Sequence, residues 1–572
     1  MSEPPSGKGR SSRRSRWGVR AHRGEESIAR RVGDARGIRF DTAGRFARRI
    51  VASRVLWPLG LLLWLSVVLF GLSVASRITS RRDLTIPEGS IVYSIESVSR
   101  GAPLYRDYRR APYATSPYPP LYYLASATPL VCGLAGTGIE AAYRSGRAVT
   151  LVSALASLVM VALLARQTRA SPTWAVGAGC LAITCPWIVP WGFTCRPDFP
   201  ALALSLAGLL VFLRNPTAPG ALAAVGWFLM AVMTKHSSVS APMAIILGTL
   251  MVRAWRPAVT LLVSLVVGTV LTTLVVDWAT SGLFLFNIMG ANVTRPIWIQ
   301  MAWHLSAFYL FFPGVLVLLG AMGIAPCLRH AGLPGRILVL YSLLSLGLAV
   351  TSSLKLGADR NYYLEPLFAA AVLSGRGMIR FEALGRRWRR SRAALLTVIA
   401  VASAPAIART PELRLDLIDG TTDSERIFRH LAPIKGDVLF GDSGLAVRSG
   451  RPVLLLDIFN VSYLSDAGKL DMSLLLDRLE RRQIAAVVLD DRTPFRQSSW
   501  GLLWWPRPLA EAIDRNYLFR GMVDTHFLYV PRTPDDETRI KNGSPLLDRG
   551  SDQTIVDRAG IPALEPGVKR TQ

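Results

Sequence analysis

Four polar clusters stand at the ends of long apolar runs. The first begins at Ile86-Pro-Glu-Gly-Ser90, continues through Gly101-Ala-Pro-Leu-Tyr-Arg-Asp-Tyr108 and ends at Tyr118-Pro-Pro-Leu-Tyr-Tyr-Leu124, setting Glu88 beside a Tyr/Pro-rich loop. The others are Arg196-Pro-Asp198, Lys235-His236 and Asp359-Arg-Asn-Tyr-Tyr363. A carboxylate can take the proton from an attacking hydroxyl, and Lys or Arg at a membrane boundary can hold a departing anion such as phosphate. Ionisable groups at membrane depth are costly and usually line a functional cavity. Each cluster also has a plainer reading. Glu88 could start a surface helix, where an acid suits the N-terminus, with Glu96 as a replacement base on a similar helical face. Arg196 and Asp198 could be a structural ion pair. Lys235 could snorkel to headgroups. Arg360 and Asn361 could cap a helix, and Tyr105, Tyr118, Tyr122, Tyr362 and Tyr363 could be an interfacial belt or, for the first three, a sugar-facing wall. Trp278, Trp298 and Trp303, in and beside the loop Asp277–Ala302, are open to the same two readings.

The elements that must position these groups are membrane helices. A chain of 572 residues, 51% hydrophobic and yet +27 in net charge, has apolar runs too long and numerous for one soluble globule. A span needs about 20 apolar residues. The candidates are Leu56–Ala75, Val149–Ala165, Thr173–Trp191, Ala201–Leu213, Ala221–Met233, Val239–Met251, Ala258–Val276, Leu305–Ala325, Ile337–Val350, Leu364–Leu373 and Ala393–Ile407. Basic residues at Arg10–Arg49, Arg166/Arg169, Arg253/Arg256, Arg329/Arg336 and Arg376–Arg392 mark cytoplasmic ends. They stay on one face only if Leu121–Gly138 does not span. That stretch, broken by Pro129, Gly133, Gly136 and Gly138, is expected to lie at or dip into the outer surface. The fold expected is thus a polytopic α-helical membrane protein of about eleven spans, N-terminus cytoplasmic, with all four polar clusters outside.

Positive charge without a recognition fold excludes nucleic acid. Residues 1–50, rich in Arg, Ser and Gly, are expected to be a disordered cytoplasmic segment touching anionic lipid. The first apolar segment lies too far from Met1 for a cleaved signal and should act as an anchor. Five cysteines in or beside apolar segments form no disulfide framework or zinc site, and six scattered histidines lack metal-ligand spacing. Gly441-Asp-Ser-Gly444 resembles a protease nucleophile segment without the rest of its signature, and reads as a turn after a strand.

The membrane unit is expected over residues 51–408. Thereafter short apolar runs, Asp437–Phe440, Pro452–Asp457, Ile484–Asp490 and Thr525–Val530, alternate with helical patterns, of which Asp471–Arg482 is clearest, with Met472, Leu475, Leu476 and Leu479 on one stripe. This predicts a small extracytoplasmic α/β domain over 409–532 and a polar tail over 533–572.

The order of these motifs carries a resemblance. A carboxylate in the first outer loop, Gly101-x-x-Leu-Tyr-Arg-Asp107, Tyr118-x-Pro-Leu-Tyr-Tyr123, Arg196-x-Asp198 and Asn361-Tyr-Tyr-Leu-Glu365 resemble the GT-C superfamily over about residues 55–405. The chain is most similar to the bacterial branch related to protein O-mannosyltransferases and aminoarabinose transferases. The resemblance implies an integral-membrane glycosyltransferase, and the high Arg and Ala content points to a bacterial plasma membrane. It would move a sugar from a polyprenyl-phosphate donor, with inversion, to a glycan, lipid or protein acceptor of the cell envelope. By position Glu88 matches the first-loop base and Asp198 the second acidic motif, orienting the acceptor or Arg196. Lys235 and Arg360 match lipid-phosphate contacts. Pro87 stands where the family has an aspartate; a lone carboxylate holds a divalent ion poorly, so no metal is expected. The alternative function is a transporter or flippase for lipid-linked sugars, although no repeat symmetry of the kind such proteins carry is evident. A polymerase or ligase with another leaving group is the third.

Overall fold

The computed structural model describes residues 57–81, 83–85, 88–185, 188–290, 314–355, 358–387, 423–490, 493–495, 505–523 and 525–541. Its first part is helical: α1 (Trp57–Arg77), α2 (Glu88–Ser99), α3 (Pro120–Val131), α4 (Ile139–Gln167), α5 (Pro172–Ala182), α6 (Ile188–Trp191), α7 (Asp198–Arg214), α8 (Ala218–Val232), α9 (Ser240–Met251), α10 (Trp255–Ala279), α11 (Leu283–Gly290), α12 (Gly314–His330), α13 (Gly332–Ser352), a 3-10 turn (Arg360–Tyr363) and α14 (Leu364–Arg387). Three of them, α4, α10 and α13, are by length and composition able to cross a membrane. Val259, Leu262, Val266 and Val270 stand half exposed along α10, an apolar surface that needs lipid to cover it.

The expected span Thr173–Trp191 is split into α5 and the short α6. The stretch at 121–138 forms the 12-residue α3, with proline at its start and three left-handed glycines, Gly133, Gly136 and Gly138, in the chain that follows it. At 1.5 Å per residue α3 reaches about 18 Å, too short for a hydrocarbon core of about 30 Å. The segment Ala393–Ile407, the start of Leu305–Ala325, Trp298, Trp303, residues 1–50 and the boundary at 409 lie outside the described residues.

A core of α4, α5, α7, α12, α13 and α14 side chains surrounds the helix ends that matter for the site. Phe199, next to Asp198 at the start of α7, meets Phe368 of α14 edge-on at 5.6 Å. This aromatic contact draws the first turns of α7 and α14 together.

The last part contains α15 (Asp423–Leu431), β1 (Val438–Phe440), α16 (Ser443–Arg448), α17 (Ile458–Asp466), α18 (Ser473–Glu480), β2 (Ala486–Leu489), α19 (Arg507–Asn516), β3 (Tyr517–Val523), β4 (His526–Pro531) and α20 (Pro534–Lys541). The sheet has order β1-β2-β4-β3, with β1 and β2 parallel and the other pairs antiparallel. Leu475 and Leu479 of α18 are buried, as the stripe predicts. Pro452–Asp457, read as a strand, is irregular; Asp457 there has φ 55° and caps α17 through Asn460 N–H. Gly441-Asp-Ser-Gly444 is the turn from β1 into α16, with the Asp442 carboxylate accepting from Leu445 N–H at 2.8 Å. At the same sheet edge Asp442, Asp490 and His526 bring potential ligand atoms within 4.8 Å of one another, a grouping that linear histidine spacing does not announce.

Candidate active site

Asp198 begins α7, where an acid complements the helix N-terminus. Its Oδ2 accepts from Arg196 Nε at 2.9 Å, and its Oδ1 accepts from Lys235 Nζ at 2.6 Å and Asn361 Nδ2 at 2.7 Å. Arg196 Nη2 also donates to the Tyr118 hydroxyl at 3.2 Å. The Lys235 and Lys355 amines lie over the Tyr362 ring, 5.0 and 5.4 Å from its centre. Members of all four polar clusters named from the sequence, except Glu88 itself, therefore meet around one carboxylate. Burial alone would lower the Lys235 amine, but the Asp198 charge outweighs it and holds the amine above its usual range. Two cations thus pair with Asp198, and a third, Lys355, shares the Tyr362 ring with Lys235. The cluster borders a small, open cleft whose lining includes Asp198, Lys235, Asn361, Tyr362, Ser345 and Glu365.

Glu88 departs from its expected role. It is fully buried, and all of its acceptor positions are taken. Arg147 grips it from Nε and Nη2, both at 3.0 Å, while Leu84 N–H and Cys195 N–H donate at 2.6 and 2.9 Å. Burial raises its carboxyl, and the stronger pull of Arg147 and these bonds holds it below the usual carboxylate range. No lone pair is left to meet a substrate hydroxyl in this arrangement. What the carboxylate does is fix Cys195, the residue before Arg196. Arg147, itself fully buried, also donates to Arg77 O and Ser80 O, at 3.0 and 2.6 Å.

Beside this pair stands Asp83. It accepts from Gly89 N–H at 2.8 Å, from the Tyr143 hydroxyl, and from Arg448 Nη1 of α16 at 3.2 Å. Burial, then the Asp442 and Glu88 charges, push its carboxyl up to about 7 against the pull of Arg448 and Tyr143.

The tyrosines divide. Tyr118 touches the cluster, but Tyr105 and Tyr122 are only 2% and 1% exposed. The Tyr105 hydroxyl donates to Tyr118 O at 3.0 Å and its ring packs on Phe284; the Tyr122 hydroxyl donates to Gly146 O at 3.1 Å. Both are packed inside the protein and offer no face to a sugar. Arg360 is exposed on the 3-10 turn, its N–H capped by Asp359 at 2.6 Å. Lys355 and Glu365, which flank the Asp359–Tyr363 motif, went unnoticed as candidates, as did Arg147. The place of Arg147, two residues before the apolar run of α4, is the signal that could have found it, since a charge at the membrane boundary calls for a partner.

No family model matches the chain, and no curated protein sequence does. Solved structures do. ArnT from Cupriavidus metallidurans bound to undecaprenyl phosphate superposes with a TM-score of 0.54 at 13% identity, covering 84% of this chain and 99% of that one. The same protein in the apo state gives 0.55 at 14% identity, covering 82% and 98%. Over most of its length the chain therefore shares the fold of that ArnT.

Proposed function

We propose that the protein is a membrane glycosyltransferase that moves a sugar from a polyprenyl-phosphate donor to an envelope acceptor, glycan, lipid or protein, on the extracytoplasmic face. The observation that carries this reading is the pair of cations Arg196 and Lys235 held by Asp198, with Asn361 on the same carboxylate, beside a cleft that Asp198, Lys235 and Asn361 line. Its support is the fold shared with an ArnT that binds undecaprenyl phosphate. In the step proposed, the acceptor hydroxyl attacks the anomeric carbon from the face opposite the phosphate, which leaves as polyprenyl phosphate with inversion. Arg196 and Lys235 neutralise the departing oxygens, Arg360 guides the headgroup in, and Asp198 orients the two cations. Glu88 is a positioning residue, acting through Arg147 and Cys195. We assign the N-terminus to the cytoplasm and the sheet-bearing domain to the outside, over about eleven spans, because the basic clusters then share one face.

The test is transfer of labelled sugar from a panel of polyprenyl-phosphate sugars by purified protein in lipid. Cleavage of one donor is expected, with Lys235→Ala weakening donor use about 10- to 100-fold, the worth of a charge-assisted hydrogen bond. Intact donor crossing the bilayer uncleaved would make the protein a transporter instead.

A further inference from the structure

The carboxylates near the cleft differ in how much of their basicity is already spent. Glu88 accepts four hydrogen bonds, two of them from Arg147. Asp198 accepts three, two of them from cations. Glu365 lines the cleft with Lys235 and Asn361 but accepts a single hydrogen bond, from Ser240 Oγ to its Oε2 at 3.0 Å. Its Oε1 makes none among the described residues, and the Tyr341 hydroxyl faces the same carboxylate. Among those residues it forms no salt bridge; Lys235, across the same cleft, acts on its charge without bonding to it. An ionised carboxylate offers about four acceptor positions, so Glu88 is saturated, Asp198 nearly so, and Glu365 retains the most open lone pairs.

Its placement also suits proton transfer. Glu365 sits in the first turn of α14, at the same end of the bundle as Lys235 and Asn361, and Ser240 begins α9 beside it. A hydroxyl partner and a nearby tyrosine fix the carboxylate without neutralising it. A cation partner would instead draw off the charge that a base needs.

We propose that Glu365 is the proton acceptor for the attacking hydroxyl, an inference that rests on the transferase reading above. As the bond from acceptor oxygen to anomeric carbon forms and the bond from that carbon to phosphate oxygen breaks, the acceptor proton passes to the Glu365 carboxylate. The electron pair of the breaking bond leaves with polyprenyl phosphate, held by Lys235 and Arg196. The role is separable from donor binding, which belongs to the Asp198 cluster.

The experiment compares wild type, Glu365→Gln and Glu365→Asp in lipid, using the labelled donor that wild type cleaves and two nucleophiles, a hydroxyl acceptor and azide. Glu365→Gln should bind polyprenyl phosphate with unchanged Kd yet lose about 10²- to 10⁴-fold in kcat toward the hydroxyl acceptor. Azide carries no proton, so glycosyl azide should form at a rate close to wild type. Glu365→Asp keeps a base and should retain hydroxyl transfer with a displaced acid limb in its pH profile. Hydroxyl transfer within threefold of wild type in Glu365→Gln would overturn the assignment and leave the transferase reading standing. So would equal loss toward azide and hydroxyl, which marks a structural role. A wild-type protein that binds donor but cleaves none would remove both readings.

Discussion

Arg147 and Glu88 form an ion pair with both side chains fully enclosed. Such a pair adds little net stability over a well-packed apolar pair, because both charges have left water, but losing one partner strands the other. Arg147→Met should therefore destabilise the protein by about 3–5 kcal/mol, read as a lowered unfolding midpoint. Glu88→Gln keeps the bonds from Leu84 and Cys195 and should cost less, so the two variants separate the pair's charge from its geometry. The pair also shows what a sequence conceals at this scale. Glu88 is conspicuous because it follows Pro87 at a polar boundary, yet the same polarity suits a catalytic base and a buried anchor. Only the approach of Arg147, in a different helix, tells them apart. Asp198, Lys235 and Asn361 were legible for the opposite reason: each lies at a helix end, and helix ends on one face converge whatever the packing inside. Glu365 closes the same motif, but Arg360, Asn361, Tyr362 and Tyr363 ahead of it carry the more conspicuous chemistry.

Among the elements, α12 and α14 approach more closely than side chains would allow. A Cβ at Gly377 would lie 1.8 Å from Leu319 O, and one at Gly323 would lie 2.1 Å from Leu373 O. Small residues let apolar helices pack backbone to backbone where lipid gives no hydrophobic gain for association. Gly377→Val should force α14 away from α12, tilting the first turn that carries Glu365 and neighbours Asn361. The expected result is a cost of about 1–3 kcal/mol from overpacking and a fall in donor affinity, measured by thermal unfolding and polyprenyl-phosphate binding; an unchanged midpoint would show that the helices separate freely. Hydropathy located these helices because a long apolar run is unambiguous. It failed at the sheet. Pro452–Asp457 is apolar and extended, with Leu455 and Leu456 buried, but it pairs with no strand in a sheet of order β1-β2-β4-β3. The strand β3 was missed because Arg520 and Gly521 interrupt its alternation, at the point where the pairing with β4 shifts register.

At the scale of the molecule, the α/β unit is seated on α2 through α16. A Cβ at Gly89 would lie 2.5 Å from Gly444 N, and Arg448 reaches both Asp83 at 3.2 Å and Glu140 at 3.0 Å. The same helix that bears Glu88 is thus clamped from outside by the domain and from inside by Arg147, which ties the appended sheet to the geometry of the Arg196–Asp198 turn. Asp83 is the titratable member of that clamp. Its carboxyl is raised from 3.8 to about 7, chiefly by burial and by repulsion from Asp442 and Glu88, so the folded state binds its proton more tightly than the unfolded chain does. Stability from this group is then full below the unfolded value and falls as pH rises toward 7, after which it levels off. The unfolding midpoint of the wild type should drop between pH 5 and pH 8 by more than that of Asp83→Asn, which keeps the shape of the side chain without the charge. Equal slopes for the two would mean that Asp83 is already ionised throughout, with Arg448 as its true counter-charge, and that the domain is held by an ordinary ion pair whose strength would then fade only as salt rises.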